Sequence, residues 1–308
     1  MNPLRYGKVA VLMGGISTER EISLLSGAVV INALQAAGID AHAVDADRDV
    51  LNRLREGNFT RAFVMLHGRW GEDGVIQGGL ELIGMPYTGS GVLASALGMN
   101  KSQCKRIWSS IGILTPEYIE ISNGDSIDME SVAFDFPVVV KPTSEGSSLG
   151  MSLVTEMTEL QAAMNKAWQH DSQILIERYI AGKEYTISIL NDEPLPTICV
   201  ETPRTFYDYE AKYKQDSTVY HCPCGLPDDA EHILQNIALR AYRIIGCRGW
   251  GRVDIIVSEE GAPYVLEVNT VPGMTDHSLV PMAARVSGLS MQGLVVSVLE
   301  SSMTGVPS

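Results

Sequence analysis

Apolar residues run without a break from Val9 to Met13, the pattern of a strand buried on both faces, and Gly14-Gly15 closes the run. Thr18-x-x-Glu21 then has the form of a capping box. Behind it Ile22, Leu25, Val29, Ala33 and Ala36 recur at helical spacing, up to Gly38 as the expected C′ residue. Further strands at 41–44 and 62–66 and a helix over 74–83 extend the alternation. This predicts a small parallel βαβ sheet with its loops gathered at the carboxyl ends of the strands. A helix over 101–111 stops at Gly112, ahead of Thr115-Pro116.

From there the pattern changes. Short strands at 138–141 and 151–154 flank a loop of glycine and serine. A helix covers 158–170, and strands follow at 173–178 and 184–190, an α+β unit with an antiparallel sheet. Beyond Asn191 come a long connection at 203–223, a helix over 229–245, two more strands and a helix from Ser290. The chain thus divides into 1–97, 98–190 and 191–308, an α/β unit followed by two α+β units.

The two late strands, 251–257 and 264–269, read as a hairpin whose bend falls at Glu260-Gly261. That register sets Asp254 opposite Glu267 and Arg252 opposite Asn269, all on one face. The other face, Val253, Ile255, Val257, Tyr264, Leu266 and Val268, is a surface for burial. Directly opposed carboxylates repel. A divalent cation removes the repulsion, and rigidly held Asp, Glu and Asn oxygens suit Mg²⁺ with phosphate as a further ligand. A solvated acidic face is the alternative; the neighbouring arginine and the apolar far side favour the metal.

Charge narrows the ligand classes. With 37 acidic against 23 basic residues the formal net charge is −14, and no basic stripe for nucleic acid is visible. An anionic ligand must be met by a few local cations; Lys101, Lys141, Lys212 and Arg252 sit beside glycine-rich or acidic motifs. No apolar run is long enough to span a membrane, no signal-peptide core precedes the first strand, and the 5 cysteines lack framework spacing. A cytoplasmic protein is expected, with Cys222 and Cys224 as loop thiols rather than a zinc pair.

Several stretches admit both a chemical and a plain reading. Lys141-Pro-Thr-Ser-Glu-Gly-Ser-Ser-Leu-Gly150 offers backbone N–H groups, hydroxyls and a lysine to a phosphate, or is an ordinary hairpin tip. Ile174 to Ile180, with Glu177 near its end, suits a purine edge or is a plain strand. The connection at 203–223, holding Phe206, Lys212 and Tyr213, is long and aromatic enough to be a lid. Glu19 either stabilises a first helical turn or meets a substrate ammonium. His67, in Leu66-His-Gly-Arg-Trp-Gly-Glu-Asp-Gly74, either lines a site or satisfies backbone groups. After the hairpin, Gly273 offers an N–H to developing negative charge, and hydroxyl and amide donors before a helix offer to hold a carboxylate.

Taken in order, GGxSxERExS, LHGRxGEDG, PYTGSGVLASALxMNK, VVKPxxEGSSLG, FYDYEAKY, GxGRVD and LEVNTxPGMTxHS resemble the D-alanine–D-alanine ligase family of the ATP-grasp superfamily over about residues 14–284. The resemblance implies three ATP-grasp domains with ATP clamped between the second and third. It implies phosphorylation of one D-alanine carboxylate and attack by the amine of a second, giving the dipeptide used for peptidoglycan. By similarity Glu19 binds the first ammonium and joins Ser147 and Tyr213 in a hydrogen-bonded group, with His67 nearby. Arg252 and the Gly273 N–H form an oxyanion hole, and Ser278 and Leu279 hold the second carboxylate. Lys101, Lys141, Ser148 and Lys212 meet phosphates. Glu177, Tyr179, Ile180, Glu184 and Phe206 surround adenine and ribose. Asp254, Glu267 and Asn269 hold two Mg²⁺, replaceable by Mn²⁺, the same ligands as the hairpin supplies. The family also implies a homodimer.

Trp70 and Val271 depart from the family pattern at positions without a proposed role. The Lys-Tyr lid pattern at Lys212-Tyr213 marks a peptide former, with D-alanine–D-lactate ligation as the near alternative. A different ATP-dependent carboxylate-amine ligase and a non-catalytic nucleotide sensor are the readings from other classes.

Overall fold

The structure, a computed structural model, describes residues 2–125, 127, 132–202 and 218–303. The amino-terminal part runs β1 (Val9–Met13), α1 (Arg20–Ala36), β2 (Ala41–Asp45), α2 (Val50–Glu56), β3 (Arg61–Val64), α3 (Val75–Leu82), α4 (Val92–Met99) and α5 (Lys101–Ser110). Its sheet has the order β2-β1-β3, all parallel, and β1 is buried at every position as its unbroken apolar run predicts.

The capping-box expectation fails. Helix α1 starts at Arg20 with Glu19 as N-cap and no side-chain cap bond. Its buried face is Ser23, Ser26, Gly27, Val30, Ala33 and Leu34. Ala33 alone was on the expected stripe. The reason is local: Gly27 packs against Met13, where an added Cβ would come within 2.7 Å of it. Ser23 meanwhile bonds the strand ends, accepting from Gly14 N and donating to Met65 O. Gly38 does close the helix, with φ +76°.

A second sheet, order β4-β7-β5-β6, joins β4 (Tyr118–Ser122), β5 (Val138–Pro142), β6 (Ser152–Val154) and β7 (Gln173–Arg178), all antiparallel. Helix α6 (Met157–Trp168) buries Leu160, Ala163, Met164 and Ala167 against it. The third sheet has the order β11-β10-β8-β12-β13, from β8 (Gly182–Leu190), β9 (Glu193–Pro194, paired with β8), β10 (Ile198–Glu201), β11 (Val219–His221), β12 (Trp250–Ser258) and β13 (Pro263–Asn269). Strand β8, grouped by sequence with the central unit, pairs along its whole length with β12. Helix α7 (Asp228–Ile244) covers this sheet, and α8 (Leu279–Val286) and α9 (Met291–Glu300) pack back onto the amino-terminal core.

The hairpin register is as read at its open end, Arg252↔Asn269 and Asp254↔Glu267, and then slips. A bulge between Asp254 and Ile255 pairs Ile255 with Val265 and Ile256 with Tyr264. Val265 thereby enters the core at 0% exposure, while Tyr264 and Leu266 leave the face expected of them. Of the expected lid, residues 203–217 with Phe206, Lys212 and Tyr213 lie outside the described residues, and Val219–His221 is strand β11, paired with β10.

Candidate active site

An open cavity of about 860 Å³ is walled by β5 and β7 on one side and by β12 and β13 on the other. Lys101, Lys141 and Ser148 line it, as do Glu177, Tyr179, Ile180 and Glu184. Asp254 and Glu267 face the same space, and the bulge turns Leu266 into its wall beside Ile256.

The acidic ladder is organised by cations and donors of this chain. Arg252 Nε and Nη2 donate to the two Asp254 oxygens, 2.8 Å each, which fixes the guanidinium plane. Asn269 Nδ2 donates to Asp254 Oδ2 (3.1 Å), and Thr186 Oγ1 to Oδ1 (2.6 Å). Thr186 stands directly across from Asp254 on β8, as Glu267 does on β13. Glu267 lies 3.4 Å from Lys101 Nζ, which also donates to Glu145 O (2.6 Å). Two opposed carboxylates and an amide are hard oxygen donors, so the residues fit Mg²⁺. Among the described residues no group of three His, Cys, Asp or Glu does so; here the third donor is an amide.

At the cavity floor Glu177 is 3% exposed and sits between two lysines. Lys141 Nζ is 2.9 Å from Oε2 and Lys105 Nζ 3.1 Å from Oε1. Burial opposes the Glu177 charge, but both ammonium groups outweigh it and hold the carboxyl below its usual range.

A second cluster gathers around Glu19. Ser147 Oγ donates to its carboxylate across 128 positions of chain. Gly68 and Gly146 make room for it: a Cβ added there would lie 2.6 Å and 3.2 Å from Glu19 Oε2. Ser147 and Ser148 hold φ of +52° and +57°, left-handed values that strain non-glycine residues. Glu72, half-buried, accepts from Gly68 N (2.8 Å). Burial, and then the Glu19 charge, push its carboxyl up to about 8.

His67 is 5% exposed, with Nδ1 2.8 Å from Val271 O and Nε2 3.4 Å from Ser26 Oγ. Burial pulls its pKa down, so the ring is neutral; donation from Nδ1 to the carbonyl leaves Nε2 to accept from Ser26. Of its two readings, these ring contacts match the satisfied histidine. Ser26 in turn accepts from Met274 N (3.2 Å), tying α1 to the turn that carries Gly273. Ser278 Oγ, bonded by Thr275 N at 3.0 Å, occupies the space a Cβ at Gly273 would need. Leu279 opens α8 directly behind it.

Thr186, Lys105, Ser26 and Glu72 were not singled out by sequence. Lys105 had a signal, four residues after Lys101 on one helix, and Thr186 had one only once β8 was known to pair with β12.

This geometry defines a nucleotide clamp of the ATP-grasp type: two antiparallel sheets facing one cavity, with lysines on one wall and paired carboxylates on the other. Family models for the D-alanine–D-alanine ligase amino and carboxyl termini match residues 51–90 and 107–300. The D-alanine–D-alanine ligase of Azoarcus sp. (strain BH72) is 52% identical over 304 residues, 98% of this chain and 99% of that protein. The crystal structure of the Bacillus anthracis ligase complexed with ATP superposes with a TM-score of 0.85 at 33% identity, covering 96% of this chain and 97% of that one. The VanG D-Ala:D-Ser ligase of Enterococcus faecalis does so at 0.84 and 28%, covering 96% and 99%. The chain belongs to the D-alanine–D-alanine ligase family.

Proposed function

We propose that this chain joins two D-alanine molecules at the expense of ATP, through an acyl phosphate, and that the residues above divide that work between them. The carrying observation is the Arg252–Asp254–Glu267 ladder facing Lys101 and Lys141 across one cavity. ATP lies along that cavity, its phosphates toward Lys101, Lys141 and Ser148 and its adenosine toward Glu177, Tyr179, Ile180 and Glu184. By the family resemblance Phe206 and Lys212, which lie outside the described residues, complete the nucleotide set.

A carboxylate oxygen of the first D-alanine takes the terminal phosphoryl group, releasing ADP. Asp254, Glu267 and Asn269 would hold Mg²⁺, two ions with Mn²⁺ able to replace them. Bound there, the metal supplies charge neutralisation on the phosphate oxygens. Glu19 holds the ammonium of that first D-alanine with His67 packed behind, and Arg252 and the Gly273 N–H stabilise the oxyanion when the second amine attacks the carbonyl carbon. Ser278 and Leu279 hold the second carboxylate. As the C–N bond forms, phosphate leaves and the nitrogen sheds a proton through Ser147 and Tyr213. Removing either hydroxyl without loss of turnover would refute that route. Five free thiols, four of them buried, fit a reducing cytoplasm; the family's homodimer is carried over as an expectation.

The test is phosphate release from Mg-ATP with D-alanine, L-alanine or D-alanine plus D-lactate, in wild type and Arg252→Ala. D-Alanine-dependent release that nearly vanishes in the variant, with dipeptide as the product, is expected. Equal rates with L-alanine, a depsipeptide product, or a fully active variant would each overturn the reading.

A further inference from the structure

Lys105 is 0% exposed, and neither the cavity nor the substrate cluster reaches it. Its ammonium is nonetheless fully engaged. It donates to Thr115 Oγ1 (2.7 Å) and Pro116 O (3.4 Å), lies 5.5 Å above the Tyr118 ring, and stands 3.1 Å from Glu177 Oε1. The contact with Glu177 is the one that pairs the ammonium with an opposite charge. Burying an ammonium costs solvation that a single ion pair rarely recovers. A methionine would fill the same space without that cost, so the retained charge needs a purpose.

The purpose lies on the far side of the same carboxylate. Glu177 Oε2 is 2.9 Å from Lys141 Nζ, and Lys141 lines the cavity at 8% exposure. Glu177 and Lys141 alone would form a neutral, closed pair at the cavity floor. With Lys105 the trio carries one net positive charge, and its cavity-facing member is Lys141. We propose that Lys105 is a positioning residue for the nucleotide polyphosphate: it takes up the Glu177 charge so that Lys141 remains available to phosphate. The inference rests on the ligase reading above, which assigns phosphate to Lys141.

Calorimetric binding of ADP and of adenosine, each with magnesium, tests it in wild type, Lys105→Met, Glu177→Gln and the double variant. Adenosine lacks phosphate, so only ADP senses Lys141. In Lys105→Met, ADP is expected to bind about tenfold more weakly, the scale of one weakened charge-assisted contact, with adenosine changed by less than about twofold. With Glu177 neutralised, Lys105 has nothing to compensate, so Glu177→Gln and the double variant should share one ADP-to-adenosine ratio. That comparison stands even if Lys105→Met does not fold. A parallel loss of both ligands in Lys105→Met, or a lower ratio in the double variant than in Glu177→Gln, would overturn the proposal. Failure of wild type to bind ADP would sink the ligase reading instead.

Discussion

Thr186→Val isolates one contact of the acidic ladder. Thr186 and Asp254 are 1% and 5% exposed and face each other on adjacent strands, with the hydroxyl donating over 2.6 Å. Valine keeps the branched shape and removes the donor. A hydrogen bond to a charged acceptor is worth about 1.5–3 kcal/mol, which corresponds to about 10- to 150-fold in an equilibrium constant. Loss of a partner that orients a metal-binding carboxylate independently gives about 10- to 100-fold weaker metal affinity. The two estimates agree. Asp254 keeps its two bonds from Arg252 and one from Asn269, so its charge stays compensated and the fold should survive with a small fall in Tm. The assay is ADP formation with saturating ATP and D-alanine across a magnesium series. The half-saturating magnesium concentration should rise by at least about tenfold, with the plateau rate falling much less. An unchanged magnesium requirement in a folded variant would show that Thr186 does not orient a metal ligand.

Gly68→Ala should raise the KM for D-alanine well above that for ATP, because its Cβ would lie 2.6 Å from Glu19 Oε2 at a backbone φ of +62°; equal changes in both would remove the link between Gly68 and Glu19. Glu72→Gln should gain stability over wild type as pH rises. The folded Glu72 keeps its proton up to about pH 8, whereas the unfolded carboxyl releases it near 4.5. Wild type therefore loses stability across that interval and the glutamine variant does not. The Tm difference should grow from pH 5 to pH 8 and then level off; a pH-independent difference would show that Glu72 is not held neutral.

Much of this was legible in the sequence because period-2 alternation fixes faces and opposed pairs. Asp254 and Glu267 were set across from each other correctly, as were Arg252 and Asn269. One step further the reading failed, since nothing in Ile255 or Leu266 announces a bulge; its effect appears only when Val265 is found buried and Leu266 in the cavity wall. Helix α1 failed for another reason. Apolar periodicity finds stripes that pack on apolar neighbours, whereas this face uses Ser23 and Ser26 to satisfy the ends of strands and turns. Strand β8 was assigned to the wrong neighbour because sequence proximity to β7 outweighed a pairing partner sixty or more residues away. The lysines on the cavity wall were legible from their motifs, while Lys105 required depth, which a sequence does not display.

The ladder also has a consequence for how the chain tolerates two facing acids. Asp254 already has Arg252 as its counterion and Glu267 has Lys101, both from this chain. A cation proposed for this ladder would therefore have to compete with partners of the chain itself, not merely relieve bare repulsion. Each of the two opposed carboxylates is thus compensated within the fold itself, so their facing positions cost the folded chain little.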